Sequence, residues 1–454
     1  MVVTGMSDEE TWFYDEVLWL SDEEFADFVY IKEETTPEWQ RCPIGVLGSL
    51  HGILLKLLLF SALKRFLVLL YAKGVVNEFM LHVTCVASGL FIIVTQNNFL
   101  SSICTYIALT VVLPYYKFLF NKHSKFVLLA YSIGMLLVWQ YFFTAKEFMS
   151  IRGILMIILM KITSLSFDIA NEFYGTIPLL HLLSYMFDSS TVLFGPWITY
   201  KQYQDSLCLK EFKVEIVNCF RALSYIALSL LAVIYSSCFA DSFVELPFVG
   251  AYFVAQSFRF SHYFVSWLSA GTSLLSGIDC GIVANWIHIE LPRSLVDVVV
   301  SWNIPMHEFL HQYIFGETKK YGSAAAIFIT YAVSSLFHGI NFQLSAVLLS
   351  LGFYTYAETK MRSKLSRCID SCVRARKCRK ECHHTYKENA LSTLAINVVF
   401  RALALTHLVY LGMAFDGSTA ETGYSWRHTL SVWDDSYYFS HVIGLFTLLL
   451  SLAF

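Results

Sequence analysis

Long apolar runs, each about the length of a membrane span, alternate along this chain with short polar breaks. From Tyr321 to Ala357 there is no Asp, Glu, Lys or Arg, a stretch long enough to cross a bilayer. Residues 79–116 are likewise uncharged and are broken by Gln96-Asn97-Asn98, so they read as two spans joined by a tight polar turn. Phe126–Ala145, residues 222–240, Ala390–Phe415 and Tyr437–Phe454 supply further spans. Residues 43–72 are apolar but carry His51, Lys56, Lys64 and Arg65. That pattern suits either one span with snorkelling ends or two short, partly interfacial helices.

Charges inside other apolar pieces change the reading. Arg152, Lys161, Asp168 and Glu172 interrupt Ile151–Tyr174 at a frequency that a lipid-facing helix does not tolerate, so this helix is expected to face protein or water. Phe173–Tyr200 holds Pro178, His181, Asp188 and the Phe194-Gly195-Pro196-Trp197 turn, which predicts re-entrant or broken helices. Residues 246–289 are rich in aromatic and small polar groups and include Arg259, His262, Asp279 and His288, as a cavity wall or membrane interface requires. The expected fold is therefore all-α and polytopic, with about nine to eleven transmembrane or re-entrant helices.

Residues 1–42 stand apart from the membrane body of residues 43–454. Ser7-Asp8-Glu9-Glu10 and Ser21-Asp22-Glu23-Glu24 repeat at a spacing of fourteen and suit capping boxes that open two short amphipathic helices; an acidic, partly disordered tail fits equally. This segment lacks the basic-then-apolar pattern of a cleavable signal, so insertion is expected to rely on the first membrane segment.

Composition agrees with a membrane protein. Of 454 residues, 56% are hydrophobic and 15% charged, against roughly 25% charged in soluble domains. The net charge of -3, without a basic face or aromatic-basic motif, argues against nucleic acid as a partner and leaves membrane lipids. Cys85, Cys104, Cys219 and Cys238 are scattered singly in apolar segments and read as small buried hydrophobes. Between Lys360 and Lys387 lie ten Lys or Arg, with Cys368, Cys372, Cys378 and Cys382 spaced C-x3-C-x5-C-x3-C and His383-His384 behind them. Three readings compete for these thiols: zinc, disulfides and acylation. Structural zinc sites favour closer C-x2-C pairs, so no metal is assigned; disulfides require an oxidising lumen, whereas the basic charge points to the cytosolic side. The positive charge also suits anionic lipid or nucleotide phosphates.

Candidate chemistry concentrates between Leu291 and Leu351. His338 lies near the middle of the uncharged run, where an ionisable side chain is costly unless it faces a cavity or a partner. Asn303 lies between Trp302 and Ile304-Pro305, where the proline marks an irregular segment or a fresh helix start; a plain cap or turn residue is the alternative. A neutral imidazole in an apolar cavity is suited to take a proton from a weak nucleophile. No GxSxG, P-loop or GxGxxG occurs, which removes the commonest hydrolase and nucleotide-binding readings. A base, a polar amide and an apolar tunnel then suggest direct transfer of a lipophilic group between two bound substrates. The residues alone leave two further classes open: a transporter or receptor in which His338 and Asn303 bind a solute or relay protons, and an escort without chemistry. The absence of a clear internal repeat favours the enzyme.

Leu291-Pro292-Arg293-Ser294, Ser301-Trp302-Asn303-Ile304-Pro305 and Ser334-Ser335-Leu336-Phe337-His338-Gly339 together resemble the membrane-bound O-acyltransferase family. Phe194-Gly195-Pro196-Trp197, Phe260-Ser261-His262-Tyr263-Phe264-Val265 and Ala346-Val347-Leu348-Leu349-Ser350-Leu351 extend the likeness from about residue 150 to the C-terminus. The match is to members of this family that lipidate Wnt proteins. The resemblance implies a multi-pass endoplasmic reticulum enzyme with His338 as catalytic histidine and Asn303 as its polar partner. It further implies palmitoleoyl-CoA as a co-substrate in place of any cofactor, long-chain acyl-CoA entering from the cytosol, and a Wnt serine hydroxyl as acceptor. Trp302 and Ser334 adjoin these groups as candidates for shaping the acyl site.

Overall fold

The computed structural model describes residues 38–96, 125–239, 249–379, 381–415 and 425–453. The expected N-terminal amphipathic helices, Asn97-Asn98 of the polar turn that follows Gln96, the span after it and Cys104 lie outside the described residues. Helix α1, Glu38–Ala72, is one continuous helix, which decides between the two readings of its charges. Lys64 pairs with Asp188 and Arg65 with Glu215 inside the protein, so neither snorkels. Helices α2, Glu78–Gln96, and α3, Lys125–Phe142, follow.

Helix α4, Ala145–Ala170, opens with a capping box in which Thr144 and Glu147 satisfy each other's backbone N–H groups, as the T-x-x-E pattern dictates. It is buried along most of its length, as its charges require. Lys161 Nζ donates to the Tyr185 carbonyl and to Thr191 Oγ1, each at 2.8 Å, and Asp168 accepts from the Tyr313 hydroxyl at 3.0 Å. The main core forms around Ile154, Leu155, Ile158 and Leu159, against Tyr185, Trp197, Phe309 and Phe337.

The broken region after α4 holds only two short helices, α5, Leu179–Met186, and α6, Tyr200–Ser206. Helix α7, Phe212–Ile234, ends in a π turn, Tyr235–Phe239. It packs along α8, Gly250–Leu275. Two short helices fold back beneath α8: α9, Trp286–Glu290, and α10, Leu295–Trp302. They are held there by Glu290, which accepts from Arg259 at 2.8 and 2.9 Å and from the Tyr263 hydroxyl at 2.8 Å. Helix α11, Ile304–Phe309, continues into a second π turn, Leu310–Phe315.

The uncharged run from Tyr321 is not one span. It splits into α12, Ser323–Phe337, and α13, Phe342–Cys368. Gly339 takes φ 83°, a conformation that ends the first helix, and the Asn341 side chain caps the second by accepting from the Leu344 N–H at 3.0 Å. Helix α14, Leu391–Gly412, runs back through the bundle, and α15, Trp426–Asp435, meets α16, Phe439–Ala453, at a 75° bend. Among the described residues, five helices are long and apolar enough to cross a membrane, or six if the bent pair counts as one span. The other membrane segments expected from sequence are shorter, bent, carry buried polar groups or fall outside the described residues.

One cysteine reading is corrected. Cys238 is not an isolated hydrophobe: it forms a disulfide with Cys42, joining the ends of α1 and α7. Cys219 is exposed, and Cys85 is a buried free thiol. Gly412, at the end of α14, touches Ala255 at the start of α8, where a Cβ would come within 2.6 Å of the alanine Cβ. Ser257 at that same start donates to the Ser236 carbonyl at 3.0 Å. The disulfide therefore lies at the end of the bundle where α14 finishes. The basic Cys-rich loop precedes Leu391, at the other end, about 33 Å away along the 22 residues of α14. The disulfide and the thiol loop therefore lie at opposite ends of α14.

Candidate functional site

A cavity of about 2040 Å³ occupies the centre of the bundle, well above the 300–1,000 Å³ usual for small ligands. Its lining reaches Ser236 and Ser237, beside the disulfide, and Arg374, Arg376, Lys377 and Arg379 in the basic loop. His338, Asn303, Trp302 and Ser334 all line it. The fold thus brings together the four residues singled out in the sequence.

His338 closes α12 as its C-cap rather than sitting inside a helix. Its turn is clamped from α3 and α4. Gln140 exchanges two hydrogen bonds with the Ile340 backbone, at 2.6 and 2.8 Å, and Arg152 Nη1 donates to the His338 carbonyl at 3.4 Å. Phe148 lies under Gly339, where a Cβ would meet the ring at 2.9 Å and Gln140 at 2.8 Å. Ser334 lies four residues before His338 and hence on the same side of α12, buried in the cavity wall.

Asn303 joins α10 to α11 in extended backbone geometry. Its Oδ1 accepts from the Met306 N–H at 3.0 Å, so this amide is an N-cap, as the simpler sequence reading held. The cap leaves Nδ2 as the donor that a cavity ligand can use. The turn is pinned on its other side too, because the Ile304 N–H donates to the Val283 carbonyl at 2.8 Å.

Sequence reasoning passed over His262 as a site residue. It lines the same cavity from α8. Its ring stacks on Trp302 with centroids 4.4 Å apart and planes 6° from parallel, and its Nε2 donates to the Trp302 carbonyl at 2.7 Å. The indole also stacks on Phe258, at 6.0 Å. Trp302 is thus an immobilised wall beside Asn303. The signal available in sequence was the polar-aromatic composition of residues 246–289, which marks a cavity wall without selecting a residue. His307 and His311, on α11 and its π turn, also face the cavity.

The thiol loop is organised differently from its spacing. Cys372, Cys378 and Cys382 gather with His384, their ligand atoms all within 4.8 Å of one another; Cys368 is exposed and outside this group.

The chemistry available is that of a long apolar chamber with an imidazole and an amide donor in its wall and a cationic rim at one end. The sequence matches the membrane-bound O-acyltransferase family over residues 82–367. It is 31% identical over 405 residues to the Homo sapiens protein-serine O-palmitoleoyltransferase porcupine, covering 80% of this chain and 87% of that protein. The proteins of the same name from Caenorhabditis briggsae and Drosophila melanogaster are each 32% identical. The first match covers 67% of this chain and 71% of the relative, the second 70% and 66%.

Proposed function

This chain belongs to the membrane-bound O-acyltransferase family, and on that premise we propose that it moves a palmitoleoyl group from palmitoleoyl-CoA to a serine hydroxyl of Wnt proteins within the endoplasmic reticulum membrane. It is a membrane acyltransferase that joins an acyl donor to a protein acceptor. The observation that carries the fuller reading is the chamber itself, about 2040 Å³, lined by His338 and Asn303 and reaching from a basic rim to the disulfide end. A donor whose head bears phosphates suits the cationic rim. The acceptor then enters from the disulfide end, which corresponds to the oxidising lumen.

In this reading the serine oxygen is the nucleophile and His338 the general base. The imidazole takes the hydroxyl proton as oxygen attacks the thioester carbonyl, the C–S bond breaks, and the proton passes to the departing CoA sulfur. The product is an oxygen ester. Asn303 Nδ2, left available by the cap, donates to the carbonyl oxygen as negative charge develops there. Trp302 and Ser334 border the acyl chain. No protein-bound cofactor takes part.

The test uses purified full-length protein, labelled palmitoleoyl-CoA and a Wnt acceptor, comparing wild type with His338→Ala. Expected is hydroxylamine-labile label on the acceptor, lost in a folded His338→Ala variant. Absence of transfer by well-folded wild type across donor lengths would overturn the reading in favour of transport. Acceptor binding that persists without any transfer would favour escort.

A further inference from the structure

We propose that Cys372, Cys378, Cys382 and His384 bind a structural zinc ion that holds the cationic rim of the cavity in shape. The geometry is that of a closed tetrahedral site. Zinc–sulfur bonds of about 2.3 Å and zinc–nitrogen bonds of about 2.0 Å place tetrahedral ligand atoms about 3.5–3.8 Å apart. Here Cys372 Sγ lies 3.4 Å from Cys382 Sγ and 3.6 Å from His384 Nδ1, and Cys378 Sγ lies 3.7 Å from that same nitrogen. Three thiolates and an imidazole select zinc over hard cations.

The surroundings fit a ligand histidine. Its outer nitrogen, Nε2, donates to Ser366 Oγ at 3.1 Å, and that hydroxyl, fully buried, donates onward to the Ser371 carbonyl at 2.6 Å. A hydrogen bond on one imidazole nitrogen fixes the tautomer that presents the other to a metal. Lys387 Nζ lies 3.5 Å from Cys382 Sγ, where it offsets the net negative charge of a zinc tris-thiolate.

The loop also needs a cross-link. Residues 374–387 carry six Lys or Arg and, apart from their cysteines, only Ala375 and Tyr386 as apolar side chains. Such a segment repels itself and has almost no core to bury, the condition in which a metal supplies the folding energy. Its start is fastened to the helices by the buried Arg362, which donates to the carbonyls of Val373 at 2.7 Å and Arg293 at 2.8 Å. Arg293 in turn donates to the Cys372 carbonyl at 2.8 Å. Beyond Ala375 the ligand cluster gathers the chain together with the Lys377–Glu388 pair at 3.2 Å and the Thr385 and Tyr386 N–H groups, which donate to the Asp370 side chain and carbonyl, each at 3.0 Å. Its cargo is the set Arg374, Arg376, Lys377 and Arg379 on the cavity lining. A Cys372–Cys382 disulfide is the competing use of these thiols, and their position at the opposite end of α14 from Cys42–Cys238 argues against it.

The experiment measures metal in the purified full-length protein by mass spectrometry. Expected is stoichiometric zinc in wild type and Cys368→Ser, and its loss in Cys378→Ser and His384→Ala. Ser366→Ala is expected to weaken zinc about 10–100-fold. Should the ligand variants fail to fold, wild type alone decides. Cobalt added after chelation should give thiolate-to-cobalt charge-transfer absorption and shield Cys372, Cys378 and Cys382, but not Cys368, from alkylation. Metal-free wild type with no cobalt spectrum, equal zinc loss in Cys368→Ser, or a Cys372–Cys382 disulfide on peptide mapping would each overturn the proposal. A rise in KM for palmitoleoyl-CoA on zinc removal is a further consequence that rests on the acyl-transfer reading. The metal measurements do not depend on it.

Discussion

His262 and Trp302 form a single stacked unit, the histidine Nε2 donating to the tryptophan carbonyl at 2.7 Å while the two rings lie 4.4 Å apart. That carbonyl closes α10 immediately before Asn303, so the histidine sets where the turn presents its amide. His262→Ala removes a buried hydrogen bond of about 1–3 kcal/mol. Acyl transfer is expected to fall about 10–100-fold, mainly in kcat, with partial recovery in His262→Gln, which keeps an N–H donor. Full activity in His262→Ala would remove the positioning role.

Asn303 carries two functions that substitution can separate. Asn303→Asp keeps the oxygen that caps α11 at Met306 and removes the Nδ2 donor. It is expected to retain thermal stability in detergent while losing transfer. Asn303→Ala should lose transfer and about 0.5–2 kcal/mol of stability as well. Equal activity in Asn303→Asp and wild type would assign the residue to capping alone.

Asp188 neutralises buried Lys64 at 2.5 Å and accepts from Ser190 at the same distance. Removing one member of a buried pair leaves an uncompensated charge and costs about 3–5 kcal/mol. Asp188→Ala should therefore lower the thermal midpoint sharply. Lys64→Met in the same chain should recover much of the loss. Scanning fluorimetry in detergent reads both.

Cys368 is exposed near the end of α13, beside the basic loop. With that loop on the cytosolic face, a membrane-impermeant maleimide should label Cys368 in sealed, cytosol-side-out microsomes without permeabilisation. Labelling only after permeabilisation would invert the orientation.

What the sequence determined by itself is what local pattern encodes. Charges at Arg152, Lys161 and Asp168 marked α4 as protein-facing, because a charge in lipid is costly wherever the rest of the chain lies. The Pro305 after Asn303 marked a helix start, and the structure shows that start capped by Asn303 through a contact within three residues. His338 and Asn303 stood out as polar groups in apolar surroundings. Tertiary structure alone decided the rest, since it depends on partners far apart in the chain. Gln140 and Arg152 clamp the His338 turn from 200 and 186 residues away, and Gly339 breaks a run that hydropathy reads as continuous. Cys42 meets Cys238 across 196 residues. In the basic loop, spacing suggested four cysteines, whereas folding passes over Cys368 and brings in His384. Periodicity reports which side of a helix is apolar; it carries no information about which distant group packs against that side, and that choice is what built the chamber.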